Sequence, residues 1–304
     1  MKFPYARLNA RMRAFLKERK HGLSWPEARE LDRARFDRDM ARPMPETRFV
    51  MFFTPRSGSS WLCDLVNRSR RLGVLGEAFN PKFMPRMSRA MNAANLDEYC
   101  QVLPRRQARG GVFGFQITYH QLNAVFADEQ DFLRRFASWH SFWLIRRDIV
   151  LQAVSLYKMQ QTGLAHAPQA TPERIGRRER DLAYDGDGIR HWLLHILAAE
   201  RATEALIARA GLTPLRMSYE RNTALKPNHL LNVMGRHMGL ATMRMKPLRS
   251  PHGKIGTDLN TQFAERFRRD QSDLVARIEE ERGPLLARIP RYGPKQRQAR
   301  TKGH

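Results

Sequence analysis

The sequence predicts an α/β fold, with a central, mainly parallel sheet flanked by helices on both faces. Three observations carry that prediction. Four apolar runs recur along the chain, at Phe49–Phe53, Val112–Thr118, Ser141–Ile145 and Thr213–Tyr219. Segments with helical apolar spacing separate them, and strands alternating with helices form parallel sheets covered on both sides. The first and third runs end in cationic residues immediately before a helix, and ligands of such sheets bind at the carboxyl ends of the strands.

Residues 1–47 are basic and helix-forming, with Leu8, Met12, Phe15 and Leu16 at helical spacing and breaks at Pro26, Pro43 and Pro45. They form an N-terminal extension that either packs on the domain surface or clamps an anionic partner. The first strand breaks at Thr54-Pro55 and turns through Arg56-Ser57-Gly58-Ser59-Ser60 into a helix marked by Trp61, Leu62, Leu65 and Val66. Gly73 to Asn80 reads as a short strand leading into a loop, with Glu77 a carboxylate in a strongly basic stretch. Residues 81–111 are irregular or helical, and Leu122 to Phe136 reads as one helix. After the third strand a helix begins at Ile149 and runs to about Thr162-Gly163. Residues 163–187 form a long loop or lid. Ile189 to Ala210 is a long amphipathic helix stopped by Gly211. Helices follow over Pro227 to Met238 and Asp258 to Arg282, separated by a basic loop at residues 246–256. A single α/β domain thus spans residues 48–290, followed by a basic, disordered tail at 291–304.

The chain has 304 residues, 42% of them hydrophobic, enough for a substantial core. It carries 54 Lys and Arg against 30 Asp and Glu, a formal net charge of +24. That balance favours an anionic partner: nucleic acid, anionic lipid, or a small molecule bearing phosphate or sulfate. The two cysteines, Cys63 and Cys100, make neither a disulfide framework nor a metal-ligand spacing. No apolar h-region opens the chain, and no apolar run approaches the ~20 residues that span a bilayer. The expectation is a soluble, cytoplasmic protein of a reducing compartment.

A strand, a tight small-residue loop and a helix N-terminus make a ready anion site, because the first helical amides lack intrahelical partners and the helix dipole is positive there. Arg56 adds a cationic fork, and Ser57, Ser59 and Ser60 add hydroxyl donors. A nucleoside-triphosphate loop needs G-x-x-x-x-G-K-[ST]. Here no Lys precedes Ser59-Ser60, and no first Gly stands at the right offset, so the cradle suits a terminal group held without magnesium. At the second junction Arg147 closes the third strand, and Ser155 lies two turns into the next helix. Both are placed to converge on a second oxyanion, a layout that fits a nucleotide with anionic groups on both sides of its ribose.

These stretches resemble a known family. Thr54-Pro55-Arg56-Ser57-Gly58-Ser59-Ser60 is similar to the 5′-phosphosulfate loop of sulfotransferases that use 3′-phosphoadenosine 5′-phosphosulfate. Arg147 to Tyr157 resembles their 3′-phosphate site. The run Gln152-Ala153-Val154-Ser155-Leu156, followed by Gln161-Thr162-Gly163, is similar to the bacterial trehalose 2-sulfotransferase family, over roughly residues 48–275. The helix from Ile189, the strand ending Ser218-Tyr219-Glu220, and Asp258-Leu259-Asn260 agree with it. The resemblance implies a P-loop-like sulfotransferase fold. It also implies a donor clamp of Pro55, Arg56, Ser57, Gly58, Ser59, Ser60, Arg147 and Ser155, with no metal. Glu77, in Gly73-Val74-Leu75-Gly76-Glu77-Ala78-Phe79, stands where the family has its general base, with Arg56 assisting at the reacting group. Leu75 replaces a family Pro, and Gln116 stands where relatives often carry Lys. His120 is a second candidate base.

The resemblance also implies a carbohydrate or glycolipid acceptor, and family members often form homodimers. Two other functions stay open on the residues alone. One is a kinase or nucleotide hydrolase on a related sheet, against which the missing loop Lys counts. The other is a basic nucleic-acid-binding protein, although the arginines follow no recognised DNA- or RNA-binding motif.

Overall fold

The computed structural model of the chain describes residues 25–163, 172–180, 182–250 and 257–292. Four strands form one sheet in the order β2-β1-β3-β4, with every pairing parallel. They are β1 (Thr47–Phe53), β2 (Val112–Ile117), β3 (His140–Ile145) and β4 (Leu215–Ser218). All four predicted strands are present. The chain goes from β1 to β2 on one side, then crosses to β3 on the other side of β1. The topological switch point therefore lies between β1 and β3, whose carboxyl ends are adjacent, Phe53 pairing with Leu144.

Near-continuous apolar strands bury both faces. On β1, Val50 and Phe52 join one core with Phe79, Phe113, Phe115, Phe136 and Trp143. Phe49, Met51 and Phe53 point the other way and join Leu62, Leu65, Phe142, Leu144 and Met217. The helices that matter to the site flank this sheet. They are α2 (Ser59–Ser69) after β1, α5 (Tyr119–Val125) after β2, α7 (Ile149–Thr162) after β3, and α9 (Gly186–Arg209). Preceding them are α1 (Arg33–Met40), α3 (Met84–Met91) and α4 (Leu96–Gln107), with α6 (Glu129–Phe136) between α5 and β3. Beyond α7 come α8 (Pro172–Glu179), α10 (Tyr219–Thr223), α11 (Pro227–His237), α12 (Asp258–Asp270) and α13 (Ser272–Ala287). A third core joins α7, α9, α12 and α13 through Val150, Ala153, Leu193, Ile196, Phe267 and Ile278.

Three expected elements differ. Leu122 to Phe136 is not one helix: Phe126 leaves helical geometry, and Asp128 caps a new start by accepting from the Asp131 amide at 2.8 Å. The last helix is likewise two, broken at Gln271 with φ −128° and ψ 35°. Gly73 to Asn80 forms no strand. Both backbone groups of Leu75 are taken by the Asn67 side-chain amide, at 2.7 and 3.0 Å, so they are not available to a ladder. The described part of the N-terminal extension packs on the domain: Phe36 is buried in the first core, and Asp32 and Arg33 bond Asn92 and Glu98. Within the expected lid, residues 172–179 are helical. The remaining expectations for residues 1–24, 164–171, 181, 251–256 and the tail from 293 lie outside the described residues. Among those described, no helix is long and apolar enough to cross a membrane.

Candidate active site

The loop after β1 is shaped by two residues in the left-handed region, Arg56 at φ 65° and Gly58 at φ 83°. Gly58 is the N-cap of α2 and supplies no side-chain cap. A side chain there is excluded twice, by the positive φ and because a Cβ would lie 2.3 Å from Cδ2 of Tyr219. The loop thus packs against an aromatic ring, and the first amides of α2 have no intrahelical acceptor. Ser57 is fully buried, and its Oγ finds no hydrogen-bond partner among the described residues.

Helix α7 grips this loop along one face. Buried Gln152 donates to Thr54 Oγ1 at 2.8 Å and to the Pro55 carbonyl at 2.7 Å. One turn on, Ser155 Oγ accepts from Arg56 Nε at 3.0 Å. Residues three apart share a helix face, so Gln152 and Ser155 hold successive residues of the loop. Lys158 continues the row, bonded to Glu179 at 2.6 Å, Asn260 at 2.5 Å and Thr257 at 2.9 Å, which ties α8 and the start of α12 to α7. Burial pushes the Lys158 ammonium below its ordinary pKa, and Glu179 opposes the shift.

A further cation enters from the end of β3. Arg146 Nη1 donates to the Arg56 carbonyl at 3.2 Å, and its guanidinium lies 5.3 Å from the centroid of the Tyr219 ring. Burial, and then the neighbouring Arg146, lower the pKa of Arg56. Burial lowers that of Arg146 too, while Glu220 pulls the other way. Both remain cations, since arginine is not deprotonated in proteins. Two adjacent, desolvated guanidinium groups at a helix N-terminus form a strongly anion-attracting corner.

The second junction is built differently. The Arg147 side chain is exposed, and its backbone amide donates to both Glu220 oxygens at 3.0 Å. The Asp148 amide also donates to Glu220, at 3.3 Å. Asp148 itself caps α7 through the Leu151 amide at 2.9 Å and is paired with Arg268 at 2.7 Å. Ser155 is thus joined to Arg56, and Arg147 projects outward from a strand end whose amides are already filled.

Glu77 sits in the loop beside β2, where the Gly76 carbonyl accepts from the Gln116 amide at 2.9 Å. Its Oε2 accepts from Asn80 Nδ2 and from Gln121 Nε2, both at 2.7 Å. Two amide donors hold the carboxylate half-buried in one orientation. Leu75, in place of the family proline, donates to Asn67 through an N–H that proline lacks. Gln116 is buried, with Oε1 unpartnered among the described residues. His120, next to the glutamine that orients Glu77, stacks on His195 of α9, with centroids 4.2 Å apart and planes 20° from parallel. Burial lowers both pKa values, His195 to about 3, so both rings are neutral near pH 7. His120 Nε2 is buried without a partner among the described residues. Among those residues, no group of three or more His, Cys, Asp or Glu side chains is placed to hold a metal ion.

Sequence reasoning left three participants without roles. Gln152 was detectable from its i, i+3 spacing to Ser155. Arg146 was visible as a strand-end cation, but not its aim toward Arg56. Glu220 acts 73 residues away on the β3 end, a contact that no local pattern encodes.

The sequence model of the Stf0 sulphotransferase family matches residues 48–270. No curated protein sequence matches the chain. Among solved structures, a sulfotransferase from Alicyclobacillus acidocaldarius is similar over 78% of this chain and 96% of its own, with a TM-score of 0.43 and 15% sequence identity.

Proposed function

The chain belongs to the Stf0 sulphotransferase family, and on that premise we propose that it moves a sulfuryl group from 3′-phosphoadenosine 5′-phosphosulfate to a hydroxyl of a carbohydrate or glycolipid. One observation carries this assignment. The cation Arg56 stands at the switch point between β1 and β3, at the N-terminus of α2, tied to Ser155 of α7. A donor bearing anions at two ends suits a cradle there with a second cation, Arg147, on the neighbouring strand end. The net charge of +24 supports an anionic donor in general terms.

In this assignment Pro55, Arg56, Ser57, Gly58, Ser59 and Ser60 surround the 5′-phosphosulfate. Arg56 and the α2 amides stabilise negative charge developing on the bridging oxygen as the S–O bond to the phosphate lengthens. Arg147 takes the 3′-phosphate from the exposed side, and Ser155 holds Arg56 in register with it. Glu77 accepts the proton of the acceptor hydroxyl as that oxygen attacks sulfur in line with the leaving phosphate oxygen. Its two amide donors keep a lone pair aimed in a fixed direction. Catalysis is then mainly positioning and electrostatic stabilisation, as for phosphoryl transfer.

Calorimetric titration with adenosine 3′,5′-bisphosphate, followed by labelled-sulfate transfer to a panel of sugars, tests the assignment. Binding of the bisphosphate without magnesium, and transfer to at least one sugar hydroxyl, is the expected result. Binding only of magnesium–ATP, with turnover, would replace it with a nucleotide hydrolase or kinase.

A further inference from the structure

Arg282 lies on α13, beyond the residues matched by the family model, in a region to which the donor loops contribute nothing. Its side chain is 2% exposed and forms a forked pair with Glu200 of α9, also 2% exposed, at 2.8 and 3.1 Å. A buried ion pair is a weak source of net stability, because apolar side chains of the same volume often serve as well or better. An apolar side chain could not do what Arg282 does with its remaining donors. Nη1 donates to the Arg147 carbonyl at 2.8 Å, and Nη2 to the Arg146 carbonyl at 2.7 Å.

These two carbonyls belong to the segment where β3 has left the sheet. The opposite edge of the same segment is held by Glu220, through the amides of Arg147 and Asp148. One guanidinium and one carboxylate thus grip two successive residues from both edges. Those residues carry the two cations of the β3 end. The Arg146 side chain reaches the Arg56 carbonyl, and the Arg147 side chain projects to solvent. A continuous path of polar contacts runs from Glu200 through Arg282 and the β3 end to the cradle loop.

We propose that Arg282 is a positioning residue for the donor site: by holding the carbonyls of Arg146 and Arg147, it fixes both cations at the spacing that a donor with two anionic ends requires. The inference rests on the donor assignment above. Arg282 touches neither donor nor acceptor, and acts only through the backbone to which those cations are attached. It makes the C-terminal helix a functional part of the site.

The test is calorimetric titration of adenosine 3′,5′-bisphosphate into the full chain, its Glu200→Leu/Arg282→Met variant and its Arg282→Lys variant. The double variant removes both buried charges together, so neither is left unpaired, and Lys preserves the charge but cannot fork onto a carboxylate and two carbonyls. Expected is a cooperative melt for each, with the affinity of the double variant weakened about tenfold or more and that of Arg282→Lys in between. A purely structural role would reduce the binding stoichiometry through loss of folded protein and leave the affinity of the remainder unchanged. Wild-type affinity in the folded variants would overturn the positioning role while the donor assignment stood. Should the double variant fail to fold, wild-type affinity of Arg282→Lys alone would overturn it. No binding by the unmodified chain would overturn the donor assignment and the positioning role with it.

Discussion

The junctions after β1 and after β3 are adjacent strand-to-helix turns in one parallel sheet, yet their backbone donors meet different fates. At the first, α2 starts on Gly58, which offers no side-chain cap. At the second, α7 starts on Asp148, which caps it, and Glu220 fills the two amides just before the helix. A helix N-terminus attracts anions in either case. Where the protein supplies its own carboxylates, that attraction is already satisfied within the fold. In the assignment proposed above, the backbone at the first junction meets a ligand oxygen. In the same assignment the second meets ligand through a side chain, Arg147, which projects from the self-capped turn. On that assignment, one topology offers a backbone cradle for the reacting group and a side-chain handle for the distant one.

The largest effect that would break this comparison lies at the cradle. Arg56→Ala removes the guanidinium proposed to stabilise the leaving oxygen, and the single-turnover rate should fall about a thousandfold, roughly 4 kcal/mol. A rate within tenfold of wild type would mean that the α2 amides and Arg146 suffice. Glu77→Gln should come next, slowing transfer about a hundredfold while acceptor binding persists. Gln keeps the shape but accepts no proton. If turnover is unchanged, His120, whose Nε2 is buried and unpartnered among the described residues, becomes the base to test. Arg147→Ala should cost only about tenfold in affinity for adenosine 3′,5′-bisphosphate, a charged contact at an exposed site. Affinity for adenosine 5′-phosphate should stay unchanged. An equal loss for both nucleotides would show that the second junction is not a separate handle.

The two junctions were legible in sequence for different reasons. The cradle is written in consecutive residues, Thr54 to Ser60, so its strand, positive-φ glycine and helix start follow from local chemistry. All four strands were legible too, because burial on both faces forces continuous apolar runs such as Phe49 to Phe53. The second junction was legible only as a cation before a helix. What fills it comes from Glu220, and what fixes it from Arg282, side chains that reach Arg147 from 73 and 135 residues away. The pairing of Ser155 with Arg56 is likewise a tertiary outcome, accompanied by Gln152 holding α7 against the loop. The split helices were missed because their apolar spacing runs through the breaks. The capping Asp128 was the one local signal for the first break, whereas Gln271 gave none for the second.

The smallest effect on donor binding should come from the third strand end, where β2 leads into His120. Burial holds His195 at a pKa of about 3 and lowers that of His120, whereas an unfolded histidine titrates near 6.5. Between those values the unfolded chain binds protons that the folded chain refuses, so stability is fully present above about pH 6.5 and declines as pH falls below it. The urea midpoint should drop from pH 7 to pH 5, and His195→Gln, with a side chain that does not titrate, should flatten that drop. Adenosine 3′,5′-bisphosphate carries a phosphate that itself titrates near pH 6, so its affinity will change with pH in both proteins. The ratio of the two affinities should nonetheless stay constant, because arginine side chains are not deprotonated in proteins. A ratio that moved with pH would tie the histidine pair to the donor cradle and end the separation between the reacting corner and this strand end.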